Sequence, residues 1–155
     1  MDFDTGGQII PAGEACRRLS RRRRLYQAAV LAEDADRTPL DCLIRDISAS
    51  GAQLRLNPGQ SVPRNAYLIN LMNRMAYLTD RVWQRGTLAG VSFDGGDALG
   101  PGWPSDLDFL HNHFIVGKLR QIAQLSAQGM ELTSVLKACN VSRETYRRWW
   151  DVFVF

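Results

Sequence analysis

The sequence predicts an α+β protein, in which five or six short antiparallel strands are followed by a helical C-terminal segment. Between residues 25 and 93, apolar and polar residues alternate at 40–45, 52–57 and 67–71, and turn residues separate the short stretches at roughly ten-residue spacing. Residues 105–125 instead place their apolar side chains at helical spacings. The segment between the predicted strands and the predicted helix is rich in glycine and proline, and it marks a change of composition.

The composition is that of an ordinary folding chain. The 155 residues suffice for one domain and an extension, but not for two large domains. Hydrophobic residues make up 45% and charged residues 23%, so we do not expect extensive disorder. No apolar run approaches the ~20 residues that cross a bilayer, and residues 1–13 lack the pattern of a signal peptide. We therefore expect a cytoplasmic protein without a membrane partner.

The predicted strands are consecutive and short, which favours a small barrel or a sandwich over a parallel sheet. They lie at 25–32, 40–45, 52–57, 67–71, 75–83 and 90–93. Closure into a barrel would pair the edges that such strands leave exposed. We expect Trp83 and Phe93 to belong to the core of this barrel.

The C-terminal third predicts three helices. Ser105 or Asp106 can cap the first, which ends near Gln128, and two shorter helices follow, with Ser142 as the N-cap of the last. We therefore divide the chain into a flexible leader at 1–16, a β-barrel at 17–96, a linker at 97–104 and a helical segment at 105–155.

Positive charge is concentrated before the first strand. Six arginines lie within eight residues: Arg17, Arg18, Arg21, Arg22, Arg23 and Arg24. Without these six charges the net charge of +3 would become −3. Guanidinium groups form forked hydrogen bonds with phosphate and stack on bases, so the run suggests a phosphate-bearing ligand. A solvated charged tail is the alternative.

A second motif, DISASG, follows at 46–51. The chain resembles the PilZ family in the order of its motifs, which is RRLSRR, a strand, RDISASGAQL, VW and GVSF. The resemblance extends from about Arg17 to Asp94. The family pattern is RxxxR before the first strand and D/NxSxxG in the following hairpin. The resemblance implies a six-stranded antiparallel barrel that binds cyclic di-GMP and acts in signalling.

The resemblance implies that arginines from the run contact the ligand. Two registers fit RxxxR, namely Arg17 with Arg21 and Arg18 with Arg22. We favour Arg18 and Arg22, and we keep Arg17, Arg21 and Arg23 as further candidates.

The chemistry of the ligand agrees with these residues. Cyclic di-GMP carries two phosphates and two guanines, which arginine forks can bind at phosphate or at the guanine O6/N7 edge. Asp46 can accept hydrogen bonds from a guanine, and the Ser48 hydroxyl can bond a base or a phosphate. Gly51 would let the backbone approach the ligand. The alternative is a turn in which Asp46 and Ser48 bond local amides and Gly51 takes a positive φ.

The stretch LTSVLKACNVSRETYRRWW resembles a helix-turn-helix. In that case Arg143 and Arg147, one turn apart, would meet DNA phosphates or guanine edges, and Arg148 is a third candidate. Glu144 precedes Arg148 by four residues, a spacing at which the two can pair. A DNA-binding regulator with a ligand-free barrel is therefore the alternative function.

The sequence also bears on other partners and activities. The helical segment could instead pack on the barrel, on another protein or on a second copy, with a homodimer formed through Phe109–Leu125. The three cysteines are widely spaced, and His111 and His113 stand at a spacing that points apart on a helix. We expect no metal, no bound cofactor and no enzymatic activity.

Overall fold

The structure, a computed structural model, describes residues 23–100 and 105–153. In this part of the chain the strands are β1 (Arg23–Ala32), β2 (Leu40–Ile47), β3 (Gly51–Leu56), β4 (Asn65–Asn70), β5 (Met75–Arg85), β6 (Leu88–Ser92) and β7 (Asp97–Ala98). All pairings are antiparallel, in the order β4-β1-β2-β3-β6-β5, and β4 also pairs with β5. The predicted six-stranded antiparallel barrel is thus confirmed.

A helical segment follows the barrel. A 3-10 turn at Ser105–Leu107 leads into α1 (Asp108–Ala127), and α2 (Leu132–Ala138) and α3 (Arg143–Phe153) complete it. The α+β class and the three C-terminal helices are therefore as predicted. The predicted cap of the first helix is wrong, because Leu107 rather than Ser105 or Asp106 precedes α1, and no side-chain hydrogen bond caps it in the described chain. Strand β7 lies within the predicted linker and pairs with Met75 and Ala76 at the start of β5. The predicted leader at 1–16 lies outside the described residues.

Strand β1 contributes to two separate apolar clusters. Ala29 and Leu31 belong to the cluster inside the barrel. Val30 and Ala32 belong to a second cluster, formed outside the barrel with residues of β4 and α1. Successive residues of a strand face opposite sides, so β1 is buried on both faces. This explains why 25–32 reads as a nearly continuous apolar run rather than as an alternating strand.

The core of the barrel contains Phe93, as predicted, but not Trp83. Phe93 is buried, and its ring centroid lies 4.5 Å from that of Tyr77. Trp83 is 38% exposed, so its assignment to the core was wrong. The pairing of β5 with β6 shifts in register between Arg81 and Trp83, and such an irregularity changes the face on which later residues lie. Trp83 instead covers Gly90, where a Cβ would lie 2.2 Å from its Nε1 atom.

Helix α1 packs against the outside of β1 and β4. Leu110 and Phe114 are buried there, in the same cluster as Val30. Gly117 allows a close approach, since a Cβ at this position would lie 3.1 Å from Leu71 Cδ2. None of the helices in residues 23–100 and 105–153 is both long and apolar enough to span a membrane.

Two polar contacts fix α1 along the barrel. The Arg120 guanidinium forms an ion pair with Asp41 of β2 at 2.7 Å. Nearer the start of α1, His113 Nε2 donates to the carbonyl oxygen of Asp34, in the turn after β1, at 2.8 Å. Asp34 follows β1 and Asp41 belongs to β2, which pairs with β1. The two contacts therefore fix the position of α1 along its own axis.

The last two helices pack on α1 through a third cluster, which includes Ile122, Val135 and Val141. Lys118 of α1 donates to the carbonyl oxygen of Cys139, the residue that ends α2. A cation that bonds a helix-terminal carbonyl satisfies an otherwise unpaired group. Ser142 caps α3 as predicted, because its hydroxyl oxygen accepts from the Thr145 amide at 3.1 Å.

Replacement of Gly117 tests the close packing of α1 on the barrel. In Gly117→Leu, the side chain would enter space filled by Leu71 and Val30, and we expect a loss of about 1–3 kcal/mol in the free energy of unfolding. Urea denaturation measures this loss. Ala123→Leu, at an exposed position of the same helix, is the matched control. Equal unfolding midpoints for the two variants would show that α1 does not pack tightly at Gly117.

Candidate functional site

The hairpin between β2 and β3 is closed by Ser48 and Gly51. The Ser48 amide donates to the Gly51 carbonyl oxygen at 2.8 Å. The Ser48 hydroxyl donates weakly to the same oxygen and accepts from the Ser50 amide, both at 3.3 Å. Ser48 therefore acts within the turn, as the alternative interpretation of DISASG predicts.

Asp46 stands at the end of β2, where the strand is irregular. It is half-buried, pairs with Arg24 of β1 on one side and with Gln53 of β3 on the other, and follows a register shift that begins at Ile44. A bulge of this kind bends a strand and changes the direction of the side chains beside it. Asp46 thus occupies the bent edge of the barrel at which the hairpin begins.

The last two residues of the arginine run lie at the same edge. Strand β1 begins with Arg23 opposite Ile47 and Arg24 opposite Asp46. The Cα atoms of such antiparallel partners lie about 4.5–5.5 Å apart. The backbone that leads out of the arginine run is therefore adjacent to the first residues of the hairpin motif.

Most of the predicted arginines lie outside the described residues. This applies to Arg17, Arg18, Arg21 and Arg22, while Arg23 is placed as a backbone position of β1. In sequence, Arg22 directly precedes Arg23, which pairs with Ile47. The structure thus brings together the C-terminal end of the run and the motif, and the choice between the two RxxxR registers stays open.

Gly51 is required by the packing of two strands. The alternative prediction of a positive φ at Gly51 is wrong, because the glycines with positive φ in the described chain are Gly59, Gly86, Gly95 and Gly129. A Cβ on Gly51 would instead lie 2.6 Å from the carbonyl oxygen of Val91 in β6. A glycine is needed where two backbones approach this closely.

Sequence reasoning missed Tyr26. This residue has a φ of 52° although it lies in β1, and its side chain is 56% exposed. It falls within the register shift between Arg24 and Gln27, on the strand that borders the hairpin. A left-handed conformation costs a non-glycine residue about 1–2 kcal/mol. Nothing in the local sequence signals this strain, because it results from the pairing of β1 with β2.

A large open cavity of about 1020 Å³ borders the hairpin at Ser50. Its walls carry the carboxylates of Asp80, Asp94 and Asp97, and no lysine or arginine of the described residues. Three carboxylates repel a phosphate but accept hydrogen bonds from amino and imino groups. This cavity alone therefore favours a base edge rather than a phosphate.

The predicted DNA-binding arginines lie on α3 and are all exposed. Arg143 Nη2 donates to Thr133 Oγ1 of α2 at 2.6 Å, which ties the two helices together. Glu144 and Arg148 form no ion pair within the described chain, so the pairing suggested by their spacing is wrong. Such exposed pairs gain little free energy. Arg147 and Arg148 thus remain accessible cations.

The described cysteines are not activated. Burial raises the pKa of the Cys42 thiol to about 12, and the charge of Asp41 adds to this effect. Burial also raises the pKa of Cys139, although nearby Lys118 opposes the shift. Both thiols therefore stay protonated at neutral pH and are poor nucleophiles.

Within the described ranges, no three His, Cys, Asp or Glu side chains are grouped so that they could hold a metal ion.

Comparison of the chain with models of known protein families finds no match, and comparison with curated proteins finds none either. A function must therefore be inferred from the residues and geometry of this chain.

Substitution of Gly51 tests whether the glycine of the motif supports the barrel independently of any ligand. In Gly51→Ala, the new methyl group would collide with the Val91 carbonyl, and we expect a loss of about 1–3 kcal/mol in stability without ligand. Thermal unfolding of the isolated protein measures it. Gly100→Ala is the control, because a Cβ at Gly100 meets nothing within 4 Å. An unchanged stability of Gly51→Ala would refute the packing role.

Proposed function

We propose that this chain is a cytoplasmic signalling protein of the PilZ type, which binds cyclic di-GMP at the barrel edge formed by the starts of β1 and β3 and the end of β2. One observation carries this proposal. The register of β1 sets Arg23 and Arg24 beside Ile47 and Asp46, so an arginine run and a DxSxxG hairpin meet at one edge.

In this proposal the two motifs contact different groups of the ligand. Arg18 and Arg22 contact phosphates and the guanine O6/N7 edge, and Arg17, Arg21 and Arg23 are the further candidates. Asp46 accepts hydrogen bonds from a guanine. The hydrogen bonds of Ser48 and the close approach at Gly51 support a different role for these two residues, which is to shape the hairpin that presents Asp46.

Signal transmission is a further part of the proposal. The ligand draws the arginine leader onto the barrel edge and thereby stabilises the start of β1. The other end of the same strand contacts α1 through Val30 and Ala32. A change in the stability of β1 therefore alters its packing against the helical segment, which serves as the output.

Calorimetric titration with cyclic di-GMP tests the proposed receptor. We expect saturable binding by the unmodified chain, weakened at least about tenfold by Arg22→Ala and by Asp46→Ala, because each removes a charged partner of the ligand. Arg85→Ala is the matched control, since Arg85 is exposed at the end of β5, on the opposite rim of the barrel. Arg17→Ala and Arg18→Ala, compared side by side, distinguish the two registers of RxxxR.

The proposed receptor fails if the unmodified chain shows no heat and equilibrium dialysis shows no retention of the nucleotide. It also fails if binding persists unchanged in both Arg22→Ala and Asp46→Ala, because the ligand would then occupy another part of the molecule.

The geometry of the last two helices favours DNA binding as a second candidate function. Helices α2 and α3 are joined by a tight turn in which Asn140 has a φ of 59°, and Ser142 caps the second helix. Arg147 and Arg148 are exposed on that helix. A short turn before a capped basic helix is the arrangement with which helix-turn-helix proteins enter the major groove.

A gel-shift titration with duplex DNA tests this candidate. If α3 binds DNA, we expect affinity that falls steeply with salt and is reduced by Arg147→Ala, because each phosphate contact releases counterions. Lys137→Ala, an exposed lysine at the end of α2, is the control for the loss of one positive charge. Equal effects of the two substitutions would indicate nonspecific attraction and argue against recognition by α3.

A further inference from the structure

A separate cavity of about 270 Å³ lies where the barrel meets the helices. Its walls come from the turn between β4 and β5, from α1, and from the turn between α2 and α3. The polar lining includes Arg74, Lys118, Asn140, Ser142 and Thr145. None of these residues belongs to the proposed nucleotide site, so the two sites can be tested separately.

Lys118 brings a buried positive charge to this cavity. It is only 2% exposed, and its ammonium group donates to the Cys139 carbonyl oxygen and lies 5.8 Å from the centroid of the Phe114 ring. No carboxylate pairs with it in the described chain. An ammonium group has three donors, and the carbonyl takes one of them. A buried cation without an anionic partner is costly.

Arg74 adds a second cation to the same space. Its Cζ atom lies 5.2 Å from the centroid of the same Phe114 ring, and it also pairs with no carboxylate of the described residues. Its backbone is held at a φ of 65° by the turn after β4. Burial lowers the pKa of Lys118, and the charge of Arg74 lowers it further, against an opposing effect of Cys139. The two cations thus repel each other across the cavity.

We propose that this cavity binds a small tetrahedral oxyanion of the phosphate type between Lys118 and Arg74. The anion neutralises both charges and accepts hydrogen bonds from the free donors of the two side chains. Thr145 contributes a hydroxyl group and Asn140 an amide, whereas the Ser142 hydroxyl already donates to Thr145 Oγ1 at 2.9 Å. The volume lies just below the range of about 300–1,000 Å³ typical of sites for larger ligands, which favours a small ion over a nucleotide.

The position of the site gives the anion a structural consequence. Arg74 belongs to the barrel, Lys118 to α1, and the hydroxyl and amide groups to the turn before α3 and its first residues. A single anion therefore joins the barrel to the last two helices, and it stabilises the position of α3.

A nuclear magnetic resonance titration of the full chain with inorganic phosphate tests the site. Parallel samples contain chloride in place of phosphate at the same ionic strength. They control for general salt effects, since phosphate also stabilises proteins by exclusion from their surfaces. We expect saturable shifts of the Arg74 Nε–H and of the indole N–H of Trp149, which also lines the cavity. Arg74→Asn should weaken binding at least about tenfold, because it removes a charged donor, while asparagine tolerates the left-handed backbone conformation. Arg85→Gln, far from the cavity, should leave it unchanged.

Lys118→Met gives a second measurement and should also abolish saturation. If this variant loses its fold because Cys139 loses its partner, Arg74→Asn decides the question alone. Shifts that rise linearly without saturation, or that are the same in the unmodified chain and in Arg74→Asn, overturn the proposal. Failure of cyclic di-GMP binding has no effect on this test, since the two sites share no residue.

Discussion

Strand β1 is covered on both sides, by the interior of the barrel on one face and by α1 on the other. Ala29 and Leu31 fill the barrel, whereas Val30 and Ala32 contact the helix. Burial of one large apolar side chain contributes about 1.5–3 kcal/mol, so exposure of the outer cluster would cost the barrel much of its stability. Helix α1 therefore covers the outside of the barrel, and the two predicted units of the chain share a core at β1.

Buried polar groups connect this strand to the rest of the molecule. Asn70 at the end of β4 is fully buried, and its amide donates to Gln27 Oε1 of β1 at 2.9 Å. Its own oxygen accepts from the Met72 amide at 2.8 Å, which shapes the turn that carries Arg74. Buried polar groups need such partners, and here one side chain satisfies groups on two elements. Asn70 thus holds both β1 near its start and the turn beside the proposed anion site.

The sequence predicts well what depends on local pattern, and poorly what depends on distant pairing. Strands β2, β3 and β4 follow from two-residue alternation, and the start of α3 follows from Ser142 as a cap. The position of Trp83 depends on a bulge, and the need for Gly51 arises from Val91 in another strand. The burial of Lys118 is not evident from the local sequence, because only the folded chain brings the end of α2 to it. At the proposed ligand site, the sequence supplies both motifs, but the pairing of β1 with β2 is what places Arg23 and Arg24 beside Ile47 and Asp46.

The two-sided burial of β1 also bears on how the barrel finds its pairing. A slip by one residue exchanges the two faces of a strand, and in a strand with one polar face this error exposes apolar side chains to water. Residues 28–32 are apolar on both faces, so water penalises such a slip only weakly. The correct register must then be selected by local features, namely the bulge at Tyr26 and the hydrogen bond between Gln27 and Asn70. A pairing of β1 shifted by one residue therefore differs from the native pairing by polar contacts and backbone strain rather than by apolar burial.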